Sequence, residues 1–233
     1  SYHQKKPFQG ILSLSDTFLP LASKASKRFN LPYITEEGAK CCRNKILLRQ
    51  ALSQAGFKQP SFQVLPLWKK WEDIQISPPV ILKAPDLTAS QGVFLIDSPP
   101  WGASLGEAKK AIEDIYRASS VFMQRKEILG KEVILEEYIH GREFTIDGWM
   151  GNKGIEVFLV FVKPQKKMKW AMAETLFITP PDFEEDKWIE RLNYFEKALR
   201  FLGFQNCPFH LEWIESEEGP IILEVHGRPI GGL

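Results

Sequence analysis

Cysteine is scarce in this chain of 233 residues, and its placement does not suggest cross-links. Cys41 and Cys42 are adjacent and Cys207 stands alone, so there is neither a disulfide framework nor the spacing of a zinc site. Such cysteine usage is typical of a reducing compartment, and we therefore expect a cytoplasmic protein.

An excess of charge of one sign and long apolar runs are also lacking. The formal net charge is +1, which gives no electrostatic reason to expect nucleic acid or an anionic membrane as a partner. The longest apolar run, residues 155–162, contains Glu156 and has the length of a strand, so no membrane-spanning segment is expected. Residues 1–9 lack the apolar core of a signal peptide.

Hydrophobic periodicity predicts a mixed α+β chain. It begins with a βα unit, in which a buried strand at 11–14 precedes a helix capped by Ser15 or Asp16. A second helix over 44–55 ends at Gly56, and a third starts at a capping box of Ser104 and Glu107. Strands are predicted at 80–83, 93–96, 133–135, 144–149, 155–162, 208–214 and 220–225, and a last helix at 186–202.

The ends of the chain predict a piece of a longer protein. No initiator Met is present, and the chain stops directly after its most chemically loaded segment. We expect residues 1–43 to be the tail of a preceding α/β domain with its linker. Residues 44–233 would form a second domain that is truncated at its C-terminus.

Two carboxylates are predicted to meet on the last hairpin. Because strand residues alternate sides, His210 and Glu212 share one face of the first strand, and Glu224 and His226 share one face of the second. If the hairpin is centred near Glu218, Glu212 lies opposite Glu224 and His210 lies opposite His226. Like charges in such a pair are destabilising by about 0.2–1 kcal/mol, and a bound Mg²⁺ would remove that cost. A solvated strand face is the alternative.

Two further segments contain residues suited to a nucleotide. Lys83 ends a predicted strand, and the loop after it is rich in small residues, which let backbone N–H groups approach a phosphate. Residues 136–143 follow an apolar strand, where backbone groups can bind an adenine edge. Taken singly, each segment is better explained without a nucleotide: the first as an ordinary hairpin loop with a surface lysine, and the second as a surface turn between strands.

The order of these segments resembles the ATP-grasp superfamily over nearly the whole chain. It runs from Asn-Lys before a helix, through Pro-Pro-Val-Ile-Leu-Lys with a Ser-Gln-Gly-Val loop, to Val-Ile-Leu-Glu-Glu-Tyr-Ile-His-Gly-Arg-Glu. It ends with His-Leu-Glu-Trp and Leu-Glu-Val-His-Gly-Arg-Pro-Ile-Gly-Gly. The likeness is greatest to the carbamoyl-phosphate-synthase-like branch that includes bacterial L-amino-acid ligases of the bacilysin-synthetase kind.

The resemblance implies an ATP-grasp fold of two α+β subdomains that hold ATP between them. By position, it implies contacts to the ATP phosphates from Lys45 and Lys83, with Lys83 also near the adenine. It implies a flexible phosphate loop with Ser90, Gln91 and Gly92, an adenine hinge with Glu136, Glu137 and Ile139, and a ribose contact from Glu143.

The same resemblance implies the metal and catalytic residues. Glu212 and Glu224 would hold Mg²⁺ or Mn²⁺, and Arg228 would contact the transferring phosphate. His226 stands where many family members have Asn as a further metal ligand, so a second metal site depends on this histidine. Gln91 replaces a residue that is often basic, and the phosphate loop has a single glycine. Glu174 lies in a segment that lines the acceptor side in amino-acid ligases.

The implied activity is ATP-dependent ligation of a carboxylate to an amine through an acyl phosphate. The substrate would be an amino acid or a similar small carboxylate, and a homo-oligomer is left open. The departures at Gln91 and His226 keep one alternative: a non-catalytic ATP-binding regulatory module that has lost ligase activity. A biotin-dependent carboxylase-type domain is a third hypothesis.

Overall fold

The computed structural model describes residues 5–67, 69–87, 90–122, 132–164, 166–168, 171–173, 176–179, 181 and 185–231. The chain divides into two compact units. Unit 1 combines Ser1–Lys58, Glu143–Val162 and Phe177–Leu233, and unit 2 combines Gln59–Arg142 and Lys163–Leu176.

Helices and strands are mixed along the chain, and the predicted α+β class is confirmed. Within the described residues the helices are α1 (Leu19–Arg28), α2 (Glu36–Arg43), α3 (Lys45–Gln54), α4 (Trp101–Phe122) and α5 (Glu185–Phe201). The strands are β1 (Phe62–Pro66), β2 (Val80–Lys83), β3 (Val93–Ile96), β4 (Glu132–Glu137), β5 (Arg142–Gly151), β6 (Gly154–Lys163), β7 (Lys166–Met168), β8 (Ala171–Ala173), β9 (Cys207–Ser216) and β10 (Gly219–His226). None of these described helices is long and apolar enough to cross a bilayer.

Unit 1 is built on a four-stranded sheet in the order β10-β9-β5-β6. Alternate residues of β5 and β9 turn one face of the sheet into a core surface, formed by Phe144, Ile146, Phe209, Leu211 and Trp213. Side chains of α1, α2, α3 and α5 complete this core. The opposite face of the same strands therefore carries their polar residues.

Polar caps fix where α2 and α3 begin. Thr35 Oγ1 accepts a hydrogen bond from the backbone N–H of Gly38 at 3.1 Å, and Asn44 Oδ1 accepts one from that of Ile46 at 2.9 Å. A cap of this kind stabilises a helix by about 1 kcal/mol. The Asn44 cap makes Lys45 the first residue of α3, which fixes the backbone of a predicted site residue.

Unit 2 is built on a six-stranded antiparallel sheet in the order β1-β4-β2-β3-β8-β7. One face of the sheet forms a core with α4, whose members include Leu82, Ile96, Leu105, Ile112, Tyr116 and Leu135. Alternation along β2 and β4 puts Lys83 and Glu136 on the other face.

The predicted strand at 11–14 is wrong. These residues have no regular secondary structure, and Leu12 and Leu14 are 53% and 76% exposed. A buried strand needs neighbouring strands for its backbone groups, but here the N–H of Ser13 is bonded to the hydroxyl of Tyr33 at 3.1 Å. The segment is therefore attached through a side chain instead of a sheet.

Other elements differ less from prediction. Helix α2 and strands β1, β7 and β8 were not predicted from the sequence. Helix α4 begins at Trp101, upstream of the expected capping box, and the carbonyl oxygen of Pro100 accepts from the N–H of Ala103. The remaining predicted helices and strands are confirmed within a few residues of their ends. The proposed boundary after residue 43 stays a prediction.

Candidate active site

Two glutamates face each other on the β9–β10 hairpin. Glu212 and Glu224 are direct Cα partners, as are His210 and His226, so the predicted register is confirmed. A bulge after Ile222, which the sequence did not indicate, shifts the pairing by one residue. Because of it, Ile222 joins the core while Glu224 stays on the polar face.

Helix α3 supports this hairpin with two cations. The side chain of Arg49 is buried, and its Nη1 donates to the carbonyl oxygen of Ile222 at 2.7 Å, where the strand bulges. One turn earlier, Lys45 Nζ lies 3.1 Å from Glu224 Oε1. The same helix therefore positions both the bulge and a positive charge beside one of the paired carboxylates.

His226 bridges Glu224 to a buried aspartate. Its Nδ1 lies 3.0 Å from Asp16 Oδ1 and its Nε2 lies 3.2 Å from Glu224 Oε2. Burial alone would lower the pKa of His226, but hydrogen bonds and charge from these two carboxylates raise it to about 9. Each ring nitrogen therefore lies within hydrogen-bond distance of a carboxylate, and the metal-ligand role that the resemblance implied for His226 stays a prediction.

Asp16 also holds Arg228. The Nη2 of Arg228 donates to Asp16 Oδ2, while Asp16 Oδ1 faces His226. Burial would raise the pKa of this carboxyl, but the hydrogen bonds and charges of His226 and Arg228 hold it well below its usual range. Asp16 is therefore an anion at any physiological pH, held between two donors.

His210 repeats this arrangement on β9. Its Nε2 lies 3.0 Å from Glu212 Oε1 and its Nδ1 lies 3.1 Å from Asp147 Oδ2. Burial lowers the pKa of His210, and the two carboxylates outweigh that effect, leaving the pKa above its ordinary value. Each of the two paired glutamates is thus in contact with a histidine, and the other ring nitrogen of that histidine contacts a buried aspartate.

The polar face of β5 includes Glu143, the residue predicted to contact the ribose. Thr145 and Asp147 both contact His210, with Thr145 Oγ1 3.2 Å from Nδ1. Alternation along β5 puts Glu143 on the same face, two residues before Thr145. Its role toward a ribose stays a prediction.

The donor set of unit 1 suits Mg²⁺ bound together with a nucleotide. Within the described residues, no group of three or more His, Cys, Asp and Glu is arranged to hold a metal by itself. Mg²⁺ usually takes one or two carboxylates and completes its shell with phosphate oxygens and water. Glu212 and Glu224, both partly exposed, supply such a pair of hard oxygen donors.

In unit 2, Lys83 is paired with Glu136. The two residues lie diagonally across β2 and β4, and Lys83 Nζ is 2.6 Å from Glu136 Oε2. Their side chains are only 10% and 3% exposed, so this is a buried ion pair. Glu136, which the resemblance implied in the adenine hinge, therefore has a carboxylate that orients the lysine.

The hinge after β4 is held by backbone hydrogen bonds within unit 2. The N–H of Glu137 donates to the carbonyl oxygen of Ser61 at 2.8 Å, and the N–H of Tyr138 donates to that of Pro79 at 3.1 Å. These two N–H groups are thus already engaged. Ile139 is half-buried, and its contact with adenine stays a prediction.

The predicted phosphate loop is closed at its base. The N–H of Ala84 donates to the carbonyl oxygen of Gly92 at 2.9 Å, and Ser90 and Gly92 have φ values of +55° and +68°. A Cβ on Gly92 would lie 2.9 Å from that of Ala84, so a side chain would be both strained and crowded. Gln91 is exposed. Glu174, which the resemblance placed on the acceptor side, lies outside the described residues.

Comparison with known protein families decides the family. The family model for the ATP-grasp domain matches residues 76–233, more than half of the chain. The chain belongs to the ATP-grasp family. The paired glutamates and Arg228 of unit 1, and Lys83 of unit 2, all fall inside the matched range, whereas Asp16 and Lys45 lie before it.

Known proteins similar to this ATP-grasp chain include one curated synthase and two ligase structures of the same fold. Dapdiamide A synthase from Enterobacter agglomerans is 25% identical over 241 residues, which cover 98% of the chain and 53% of the relative. The structure of an L-amino acid ligase from Bacillus licheniformis matches at 24% identity and a TM-score of 0.73, covering 99% of this chain and 51% of that one. A D-alanine-D-alanine ligase structure from Coxiella burnetii matches at 16% identity and a TM-score of 0.60, covering 88% and 53%. The chain spans about half the length of the curated relatives it matches.

Three residues of the candidate site were not predicted from the sequence as site residues: Asp147, Arg49 and Asp16. Asp147 was detectable, because Thr145 and Asp147 alternate with the apolar Phe144 and Ile146 along a predicted strand. Arg49 was detectable as a charge on the inward face of α3. Asp16 was interpreted as a helix cap, since nothing in the sequence indicates its contacts with residues more than 200 positions away.

Proposed function

We propose that this ATP-grasp chain is the catalytic, ATP-binding part of a carboxylate–amine ligase. It would phosphorylate the carboxylate of an amino acid or a similar small molecule and join the acyl group to an amine. The observation that carries the proposal is the direct pairing of Glu212 with Glu224, with Lys45 Nζ 3.1 Å from Glu224. Family membership supports it, as does the similarity to dapdiamide A synthase and to the L-amino acid ligase structure.

The charge of each site residue determines its proposed role: carboxylates would bind the metal and cations would contact the phosphates. Glu212 and Glu224 would hold Mg²⁺, which supplies neutralisation of phosphate oxygens. Lys45, Lys83 and Arg228 would offset the remaining negative charge of the triphosphate. The loop with Ser90, Gln91 and Gly92 would present backbone N–H groups to phosphate, and Glu137, Ile139 and Glu143 would contact adenosine.

The reaction needs no protein nucleophile. A carboxylate oxygen of the substrate attacks the γ-phosphorus, the bond to the β-phosphate oxygen breaks, and ADP leaves. The amine nitrogen then attacks the acyl carbon, phosphate leaves, and an amide remains. Cys207 is not needed, and burial raises the pKa of its thiol to about 12, which keeps it protonated and unreactive.

The direct test is ADP release from MgATP by the full-length protein. Amino acids are added singly and in pairs, and loss of free amine is measured in parallel. ADP release that depends on a particular pair, with equal loss of amine, is the expected result. Nucleotide binding without ADP release under any combination would instead support the non-catalytic module, and would contradict the ligase.

A matched pair of hairpin variants tests the carboxylate assignment. Glu224→Gln should lower turnover by at least about a hundredfold, because removing one electrostatic contact at a transferring phosphoryl group costs roughly 3 kcal/mol or more. The control is Glu217→Gln in the exposed turn of the same hairpin, which should leave turnover unchanged. Turnover in Glu224→Gln equal to that of the control would remove the metal assignment.

A further inference from the structure

Asp16 joins the N-terminal segment to the end of β10. It precedes α1 and is only 7% exposed, yet its two carboxylate oxygens contact His226 and Arg228. The sequence separations are 210 and 212 residues, so these contacts exist only in the folded chain. Asp16 also lies before the range that the family model matches.

A second connection holds the same segment at the same place. The hydroxyl of Tyr33 donates to the carbonyl oxygen of Gly227 at 2.8 Å and accepts from the N–H of Ser13 at 3.1 Å. Ser13 is thereby attached to the residue that precedes Arg228. The hydroxyl of Ser13 in turn donates to the carbonyl oxygen of Ser15 at 2.7 Å, which orders the chain up to Asp16.

Arg228 would have wide freedom without these contacts. It follows β10, where strand pairing ends, and its guanidinium also donates to the carbonyl oxygen of Pro229 at 2.7 Å. A bidentate or charge-assisted contact to a carboxylate restricts an arginine more than a single carbonyl does. Asp16 is the carboxylate that the structure gives it.

We propose that Asp16 is a positioning residue that orients Arg228 directly and Glu224 through His226. The N-terminal segment would then be part of the site and not only a connection to other sequence. The proposal about positioning rests on geometry. Its consequence for turnover rests on the proposed ligase function, in which Arg228 contacts the transferring phosphate.

The test measures how freely Arg228 reacts with phenylglyoxal in the full-length protein. Modification of each arginine is followed by mass spectrometry over time. Asp16→Asn keeps the shape and removes the charge, and it should raise the rate at Arg228 about fivefold, the effect of losing roughly 1 kcal/mol of a charge-assisted contact. A rate at Arg228 equal to wild type would overturn the proposal.

Arg191 provides an internal control. Its side chain is 14% exposed, as is that of Arg228, and it is paired with Glu215 by a contact of 2.7 Å. Asp16→Asn should leave the rate at Arg191 unchanged, and Glu215→Gln should raise the rate at Arg191 and not at Arg228. An equal rise at both arginines in Asp16→Asn would indicate general loosening and would also overturn the proposal.

A second variant covers the possibility of misfolding. Tyr33→Phe leaves Asp16 in place and removes the hydroxyl that bridges Ser13 and Gly227, so Arg228 should react at an intermediate rate. If Asp16→Asn does not fold, Tyr33→Phe decides alone, and a wild-type rate there would contradict the proposal.

Kinetics separate the two proposals. With a substrate pair in hand, Asp16→Asn should lower kcat more than it raises KM for ATP, because Arg228 would be misplaced in the transition state. If Arg228 is released as expected while the wild-type protein turns over no ATP, the positioning proposal stands and the ligase function fails.

Discussion

At the scale of single residues, the buried ion pair of unit 2 can be altered to distinguish a contribution to stability from a contribution to nucleotide binding. The side chains of Lys83 and Glu136 are 10% and 3% exposed, and removing the carboxylate of Glu136 leaves the charge of Lys83 in the interior without this partner. Replacing both with apolar residues of similar size removes that cost. The pair therefore allows stability and nucleotide binding to be changed independently.

Glu136→Gln should destabilise unit 2 by about 3 kcal/mol, whereas the double variant Lys83→Met with Glu136→Leu should recover most of that stability. The double variant should nevertheless bind MgADP much more weakly than wild type, because it lacks the cation. Hydrogen exchange in β2 and β4 measures stability, and calorimetric titration measures binding. Wild-type affinity in the double variant would mean that Lys83 serves the fold alone.

At the scale of elements, the loop between β2 and β3 depends on its one glycine. Gly92 has a φ of +68°, and a Cβ there would also lie 3.0 Å from Leu87 and 3.5 Å from Ile112 on α4. The hydroxyl of Tyr116, one turn further along α4, donates to Asp86 in the same loop. The described residues at both ends of the loop therefore contact α4.

Gly92→Ala should weaken MgADP binding about tenfold, since a non-glycine residue in this region costs roughly 1–2 kcal/mol. The control is Gly106→Ala in α4, which is exposed and has open space around its Cβ position. That change should leave binding unchanged and stabilise the helix by up to about 1 kcal/mol. If Gly92→Ala binds MgADP as tightly as Gly106→Ala does, the loop does not contact the nucleotide.

Local patterns predicted the elements well where local physics decides them. The helix over 44–55, the alternation along β5 and β9, and the pairing of Glu212 with Glu224 all follow from residues near one another in sequence. The bulge after Ile222 was not predicted: the carbonyl oxygen of Ile222 accepts from Arg49 of α3, and a local sequence pattern does not reveal such a contact between elements. The strand expected at 11–14 failed for the same reason: an apolar run predicts burial but not which partner is present.

At the scale of the whole molecule, unit 1 is assembled from three separate stretches of sequence. Helix α2, from the first stretch, packs so closely on α5, from the third, that a Cβ on Gly38 would lie 1.9 Å from the carbonyl oxygen of Leu202. Thr35, which caps α2, also donates to that carbonyl at 3.2 Å. Unit 2 has a separate core around α4.

The separate cores predict that damage to one unit stays in that unit. Gly38→Ala should destabilise unit 1 by about 1–3 kcal/mol, because the backbone of α5 must move to admit a methyl group. Hydrogen exchange should therefore quicken in α2, α5 and β9 and stay unchanged in β2 and β4. Gly10→Ala, with nothing within 4 Å of the added Cβ, is the matched control and should change neither unit. If Gly38→Ala quickens exchange equally in β2 and β4, the two cores unfold as one cooperative body. The stability of the candidate nucleotide-binding residues in unit 2 would then depend on the N-terminal segment of unit 1.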